Sequence, residues 1–97
     1  MKHRYLLLDA LKKEKFKSIL DVGCGYGQDL ALIKKQFPKV RIAGIDASRE
    51  RIIEATEALG NIQLVVGYAS EMPFKDKSFD ISFTDAVLMM GGYDRAI

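Results

Sequence analysis

The spacing of apolar residues along this chain switches repeatedly between a helical and an extended period. Residues 4–14 place Leu7, Leu8 and Leu11 on one side with charges elsewhere, which predicts an amphipathic helix. The apolar, β-branched run 18–22 predicts a buried strand, and it stops at the glycine cluster 23–27. After that turn, Leu30, Ile33 and Phe37 recur at i, i+3 and i+7, one face of a second helix. Pro38 ends it, because proline disfavours the helical conformation in the residue before it.

Residues 40–46 predict a second strand. Ser48 suits the N-cap of a third helix whose apolar side is Ile52, Thr56 and Leu59. Arg51 occupies the third position after Ser48, so there is no capping box. Gly60 and Asn61 close this helix in a left-handed conformation. Residues 62–67 read as a third strand, 68–78 as a polar loop containing Pro73, and 79–85 as a fourth strand. The run from Val87 to Ile97 reads as the start of a further loop and helix.

Strands alternating with helices of about a dozen residues imply parallel βαβ units with right-handed crossovers. Near-continuous apolar strands agree, because such a sheet is covered on both faces. The expected fold is therefore α/β: a Rossmann-like three-layer sandwich around a parallel sheet of about four strands.

Composition narrows the function classes. The 97 residues suffice for one domain, 1–97, and 48% hydrophobic against 29% charged residues excludes a disordered chain. No apolar run approaches the roughly 18 residues of a membrane span, and 5–8 is too short for a signal-peptide core, so a cytoplasmic protein is expected. A single cysteine, Cys24, and a single histidine, His3, exclude a disulfide framework and disfavour a zinc site. Residues 1–17 carry six Lys/Arg against Asp9 and Glu14, a local +4, whereas the remaining 80 residues are at −2. Tyr5 and Phe16 are the two aromatics of this stretch, short of the repeated interleaving of single-strand binders, so this basic N-terminal helix is read as a solvated face and nucleic acid as an unlikely partner.

The chemistry concentrates in Ile19-Leu20-Asp21-Val22-Gly23-Cys24-Gly25-Tyr26-Gly27. Its glycines permit a sharp strand-to-helix turn and let a ligand approach the backbone without meeting a Cβ. The next helix begins with free N–H groups and a partial positive charge. Gln28 stands where the dinucleotide fingerprint G-x-G-x-x-G needs its last glycine, so a pyrophosphate ligand and a nicotinamide oxidoreductase are disfavoured. Asp21 adds a negative charge that repels phosphate and suits an ammonium group. Asp46 ends the second strand 23 positions after Gly23, where a carboxylate can accept from both hydroxyls of a ribose. Cys24 is read as a small buried residue, not a nucleophile.

Four segments, 19–27, 43–48, 67–74 and 78–83, together resemble the class I S-adenosylmethionine-dependent methyltransferases, in order and in spacing, over about residues 18–90. The chain is similar to the N-terminal, cofactor-binding half of a methyltransferase type 11-like domain. The resemblance implies the strand order 3-2-1-4, which leaves the fourth strand as an edge on which Phe79, Ile81 and Phe83 alternate, a pairing site unless something covers it. Self-association or a partner chain is expected there. The resemblance implies that Gly23 and Gly25 lie against the methionine part of S-adenosylmethionine, with Asp21 orienting its amino group. Asp46, with Ala47 beside it, would take the ribose hydroxyls. Ala69 and Ser70 would lie at the adenine edge, and Asp85 would line the same crevice. The implied activity is methyl transfer to an unidentified acceptor, with no catalytic residue assignable. Two features depart from the family pattern. Tyr68 stands where many members carry an aspartate that reaches the adenine amino group, and the family sheet normally has seven strands. The alternative function is a non-catalytic binding module completed by another chain.

Overall fold

The computed structural model describes residues 2–68, 70, 78–84 and 87–90. Its elements are α1 (Lys2–Lys12), β1 (Ser18–Val22), α2 (Gln28–Gln36), β2 (Arg41–Asp46), α3 (Arg49–Leu59), β3 (Gln63–Val66), β4 (Ile81–Thr84) and β5 (Val87–Met90). The sheet order is β3-β2-β1-β4-β5. Strands β1 to β4 are parallel, as the alternation with helices demands. In register, Ile19 faces both Ile42 and Ile81, and Asp21 faces both Gly44 and Phe83.

One expectation is corrected. The fourth strand is not an edge, because β5 pairs antiparallel with it, from Ile81 opposite Met90 to Thr84 opposite Val87. The run read as the start of a helix satisfies the backbone groups of β4, so the pairing site expected at the β4 edge is already taken. A short apolar stretch carries no period of its own, and long-range hydrogen bonding settles its conformation.

Burial follows strand alternation. Ile19, Ile42, Ile81 and Phe83 point to the face that receives Leu7, Leu8 and Leu11 of α1, Leu30 and Ile33 of α2, and Ile52 and Leu59 of α3. Leu20, Val22, Ala43, Ile45 and Phe79 form a smaller cluster on the opposite face. No helix lies on that second face among the described residues. All five positions of β1 are buried, as a central parallel strand requires.

The helices begin and end by local chemistry. Ser48 caps α3, its Oγ accepting from the Arg51 N–H at 3.3 Å. The apolar side of α3 is Ile52, Ala55 and Leu59, not Thr56, which stands exposed at the border of that face with its hydroxyl donating to the Ile52 carbonyl at 2.7 Å. Gly60 ends α3 with φ 71 but ψ −115, a positive-φ residue outside the left-handed helical well expected of it. At the amino ends of the strands, Asp80 binds the Lys17 N–H at 2.7 Å and its own N–H donates to Ser18 Oγ at 2.9 Å. These two bonds hold β4 beside β1.

Candidate functional site

Three connections meet at the carboxyl ends of the strands, and Asp46 ties them together. The turn after β1 crosses over β2, with the N–H groups of Gly23 and Cys24 both donating to the Ile45 carbonyl, at 2.7 and 3.0 Å. The next N–H, of Gly25, donates to Asp46 Oδ2 at 2.8 Å. Asp46 Oδ1 accepts from the Ser48 N–H at 2.9 Å, fixing the entry to α3. The Asp46 carbonyl accepts from the Gly67 N–H at 3.0 Å, fixing the exit from β3. A carboxylate accepts up to about four hydrogen bonds, so two such donors leave lone pairs on the side facing out of the sheet.

The glycines of the turn have different tasks. Gly23 (φ 78), Gly25 (φ 57) and Gly27 (φ 85) all lie in the region that side-chain-bearing residues avoid. A Cβ on Gly23 would meet nothing within 4 Å, so that backbone borders open space. A Cβ on Gly27 would lie 2.6 Å from Leu59 Cδ1, so that glycine allows α2 to start against the end of α3. Gly44 serves Cys24 in the same way: a Cβ there would lie 2.9 Å from the thiol sulfur.

The open space is a cavity of about 350 Å³, walled by Val22, Gly23, Ile45, Asp46, Ala47, Arg51, Gly67, Tyr68 and Thr84. A wider hollow of about 650 Å³ lies at the other end of the sheet, between Glu14, Lys15, Phe16, Lys17, Phe37 and Asp80. The smaller one carries the site, because ligands of open α/β sheets bind beyond the carboxyl ends of the strands.

Of the residues singled out from sequence, Gly23, Asp46 and Ala47 come together in the walls of this cavity. Asp21 is not in the wall; it is 3% exposed and lies on the helix-covered face of β1, in register with Gly44. Gly25 stands one hydrogen bond behind the wall, holding Asp46. Ser70 is exposed and does not line the cavity. Ala69 and Asp85 lie outside the described residues.

Arg51 and Thr84 are wall residues that sequence reasoning did not select. The signal for Arg51 was present: three residues after an N-cap a side chain sits over the start of the helix, which here faces the strand ends. Its guanidinium lies 5.7 Å from the centroid of the Tyr26 ring.

Burial, and then the negative charges of Asp21 and Asp46, push the Cys24 thiol from its ordinary 9.0 up to about 12. A neutral, 6% exposed thiol is a packing group at physiological pH, not a nucleophile. The same two carboxylates make this end of the sheet electronegative, a setting for a cationic ligand. Among the described residues no cluster of metal-ligating side chains occurs.

Fold and site together define an α/β domain with an open, carboxylate-bordered cavity across the carboxyl ends of a parallel sheet. The methyltransferase domain family matches residues 19–96, and the chain belongs to that family. It is 38% identical over 71 residues to a demethylmenaquinone methyltransferase of Chlorobaculum tepidum, covering 73% of this chain and 29% of that one. It is 35% identical over 82 residues to a trans-aconitate 2-methyltransferase of Escherichia coli, covering 84% of this chain and 32% of that one. In structure it is similar to the plantazolicin methyltransferase BpumL, solved with a desmethyl analogue and SAH. There the TM-score is 0.67 at 31% identity, over 82% of this chain and 32% of that one. The chain thus spans about a third of the length of the relatives it matches. No described helix is long and apolar enough to cross a membrane.

Proposed function

We propose that this chain is the cofactor-binding part of an S-adenosylmethionine-dependent methyltransferase acting on an unidentified acceptor in the cytoplasm. The observation that carries the reading is the position of Asp46. Its carboxylate is fixed by two backbone N–H groups and borders a cavity at the strand ends. Held in that way it accepts the two ribose hydroxyls without reorganising, which is the economy of a preorganised site. Gly23 leaves room for the methionine part of the cofactor, since no protein atom occupies the place of its missing Cβ. Gly25 positions Asp46 through its N–H. Asp21, from behind the turn, adds negative potential that favours the ammonium group. Ala47 borders the ribose. By resemblance, Ala69 and Ser70 belong at the adenine edge and Asp85 at the mouth of the same crevice.

When bound, the cofactor supplies an electrophilic methyl group on a positively charged sulfur that leaves readily. The chain's own part is to hold and align, with proximity as the main contribution to rate. No side chain in the cavity is assigned as a general base.

Calorimetric titration with S-adenosylmethionine and S-adenosylhomocysteine, beside Asp46→Ala, tests the reading. Saturable binding by the parent chain that falls at least about tenfold in the variant is expected, since a buried carboxylate accepting two hydroxyls contributes more than about 1.4 kcal/mol. A folded chain that binds NAD and neither of these ligands would overturn the proposal.

A further inference from the structure

We infer that the amino end of the sheet, opposite the cavity that Asp46 borders, binds single-stranded nucleic acid. The fold gathers segments there that are apart in sequence. Residue 12 ends α1, 13–17 lead into β1, 34–36 form the last turn of α2, and 39–41 lead into β2. Arg41 lies in register with Ser18, and its N–H donates to the Lys17 carbonyl at 2.8 Å, so the two strand starts are side by side. Two cations of this end are engaged within the fold. Lys34 Nζ donates to the Leu59 carbonyl at 2.9 Å, and Arg41 donates to the Ser78 carbonyl at 2.8 Å with its guanidinium over the Phe79 ring. Lys12, Lys13, Lys15, Lys17, Lys35 and Lys39 are exposed, and their ammonium groups have no partner among the described residues. The acids beside them are Glu14, Glu57 in the last turn of α3, and Asp80, whose carboxylate accepts from the Lys17 N–H at 2.7 Å. Positive charge is therefore in excess here, whereas Asp21 and Asp46 make the carboxyl end negative. A polyanion is drawn to one end and repelled from the other.

The hollow of about 650 Å³ at this end gives such a partner a place for a flat ring. Phe16 and Phe37 wall it together with Lys15 and Lys17. Their rings meet with centroids 5.2 Å apart at a tilt of 58°, and each is only half-buried. Aromatic faces left partly in water among unpaired cations form the stacking platform and charged track on which single strands are held. Residues 1–17 supply half of this arrangement. Phe37, Lys35 and Lys39 join it because α2 returns the chain to the start of β2. An acidic protein surface would satisfy the lysines but makes no use of the ring pair, and a duplex keeps its bases stacked away from it. The surface lies at the far end of the sheet from Asp46, so the inference stands independently of the methyltransferase reading.

The test follows the fluorescence anisotropy of a labelled uridine oligonucleotide of about a dozen residues as the full chain is added. At about 50 mM salt the expected dissociation constant is roughly 1–100 μM, weakening as salt rises with a logarithmic slope of about −2 to −4. Lys35→Gln combined with Lys39→Gln is expected to weaken binding roughly three- to tenfold and to flatten that slope by about 1 to 1.5. Phe37→Leu should weaken binding roughly fivefold or more at unchanged slope, and Phe37→Tyr, which keeps the ring, should bind like the parent. Both lysines are exposed, so the lysine variant keeps the test decisive even where Phe37→Leu disturbs packing; circular dichroism checks the fold of each. An RNA duplex and an oligoglutamate of matching charge should compete at least about tenfold more weakly than the single strand. No binding up to about 100 μM chain at that salt overturns the inference, as does binding that ignores Lys35 and Lys39. So does a duplex that competes equally, or an oligoglutamate that competes equally while Phe37→Leu changes nothing, which assigns the surface to an acidic protein. Titration of the lysine variant with S-adenosylmethionine should match the parent, so failure of either reading leaves the other in place.

Discussion

Placing a methyl group on Gly27 separates two reasons for having a glycine in the turn. An alanine at φ 85 carries the left-handed strain of roughly 1–2 kcal/mol that any L side chain meets there. It also places its Cβ 2.6 Å from Leu59 Cδ1 and 3.4 Å from Ala55 Cβ, where α2 starts against the end of α3. Relieving the first contact means moving the tip of a side chain that is only 9% exposed. Overpacking of that kind costs typically about 1–3 kcal/mol. Gly27→Ala is therefore expected to lose about 2–5 kcal/mol, a large share of the roughly 5–15 kcal/mol that holds a domain of this kind folded. Gly25→Ala is the control. Its φ is 57 and its added Cβ meets nothing within 4 Å, so it bears the backbone strain of roughly 1–2 kcal/mol alone. Urea denaturation followed by circular dichroism measures both. A double variant, Gly27→Ala with Leu59→Ala, should be less destabilised than the sum of the singles by about 1 kcal/mol or more, because the two residues compete for one volume. Equal losses for Gly25→Ala and Gly27→Ala, with additive behaviour in the double variant, would refute the packing argument.

Two further expectations concern groups outside the ligand cavity. The Cys24 thiol titrates near 12 folded and near 9.0 unfolded, so its contribution to stability is complete below pH 9 and is lost as pH rises from there toward 12. The stability difference between the parent and Cys24→Ala should thus be flat from pH 7 to 9 and shrink above it, by up to about 1.4 kcal/mol per pH unit; parallel profiles to pH 11 would contradict the buried neutral thiol. Lys34 Nζ donates to the Leu59 carbonyl at 2.9 Å and supplies the cation that the last turn of α3 lacks. Lys34→Met should lower stability by about 0.5–1 kcal/mol at low salt, with less effect at 1 M salt, and an unchanged urea midpoint at low salt would count against that contact.

Much of the fold was legible in local pattern. Each of the first four strands and each of the three described helices is announced by a change of period, and the breaks at 23–27, Pro38 and 60–61 fall where glycine and proline chemistry places them. That the first four strands run parallel followed from handedness and short connections, which are general constraints on such chains, whereas their order 3-2-1-4 was implied by the resemblance to the family. The partnership of Asp46 with the glycine turn was legible too, because a strand end and a strand-to-helix turn are fixed relative to one another once the βαβ unit forms.

Other features depend on groups far apart in sequence, and no local period reports them. The Val87–Met90 run is apolar in any conformation; it is β5 because the unpaired groups of β4 lie beside it. Thr56 fits the helical pattern of α3 as well as Ala55 does, and only the close approach to α2 at Gly27 shows that the small apolar residue is the one turned inward. Asp21 and Asp46 look alike as acids at the ends of strands, yet the pleat carries one behind the turn and leaves the other in the cavity wall. Arg51 reads from sequence as a failed capping box, and becomes a wall residue because the start of α3 is tied to Asp46. The chain's own residues thus determined the elements, their order and the acidic, glycine-lined character of the site, since these rest on period, turn chemistry and charge within a few positions. Which faces meet, which edge is closed and which side chains share the cavity were decided only when distant backbone groups had to pair and distant side chains had to fill the same space.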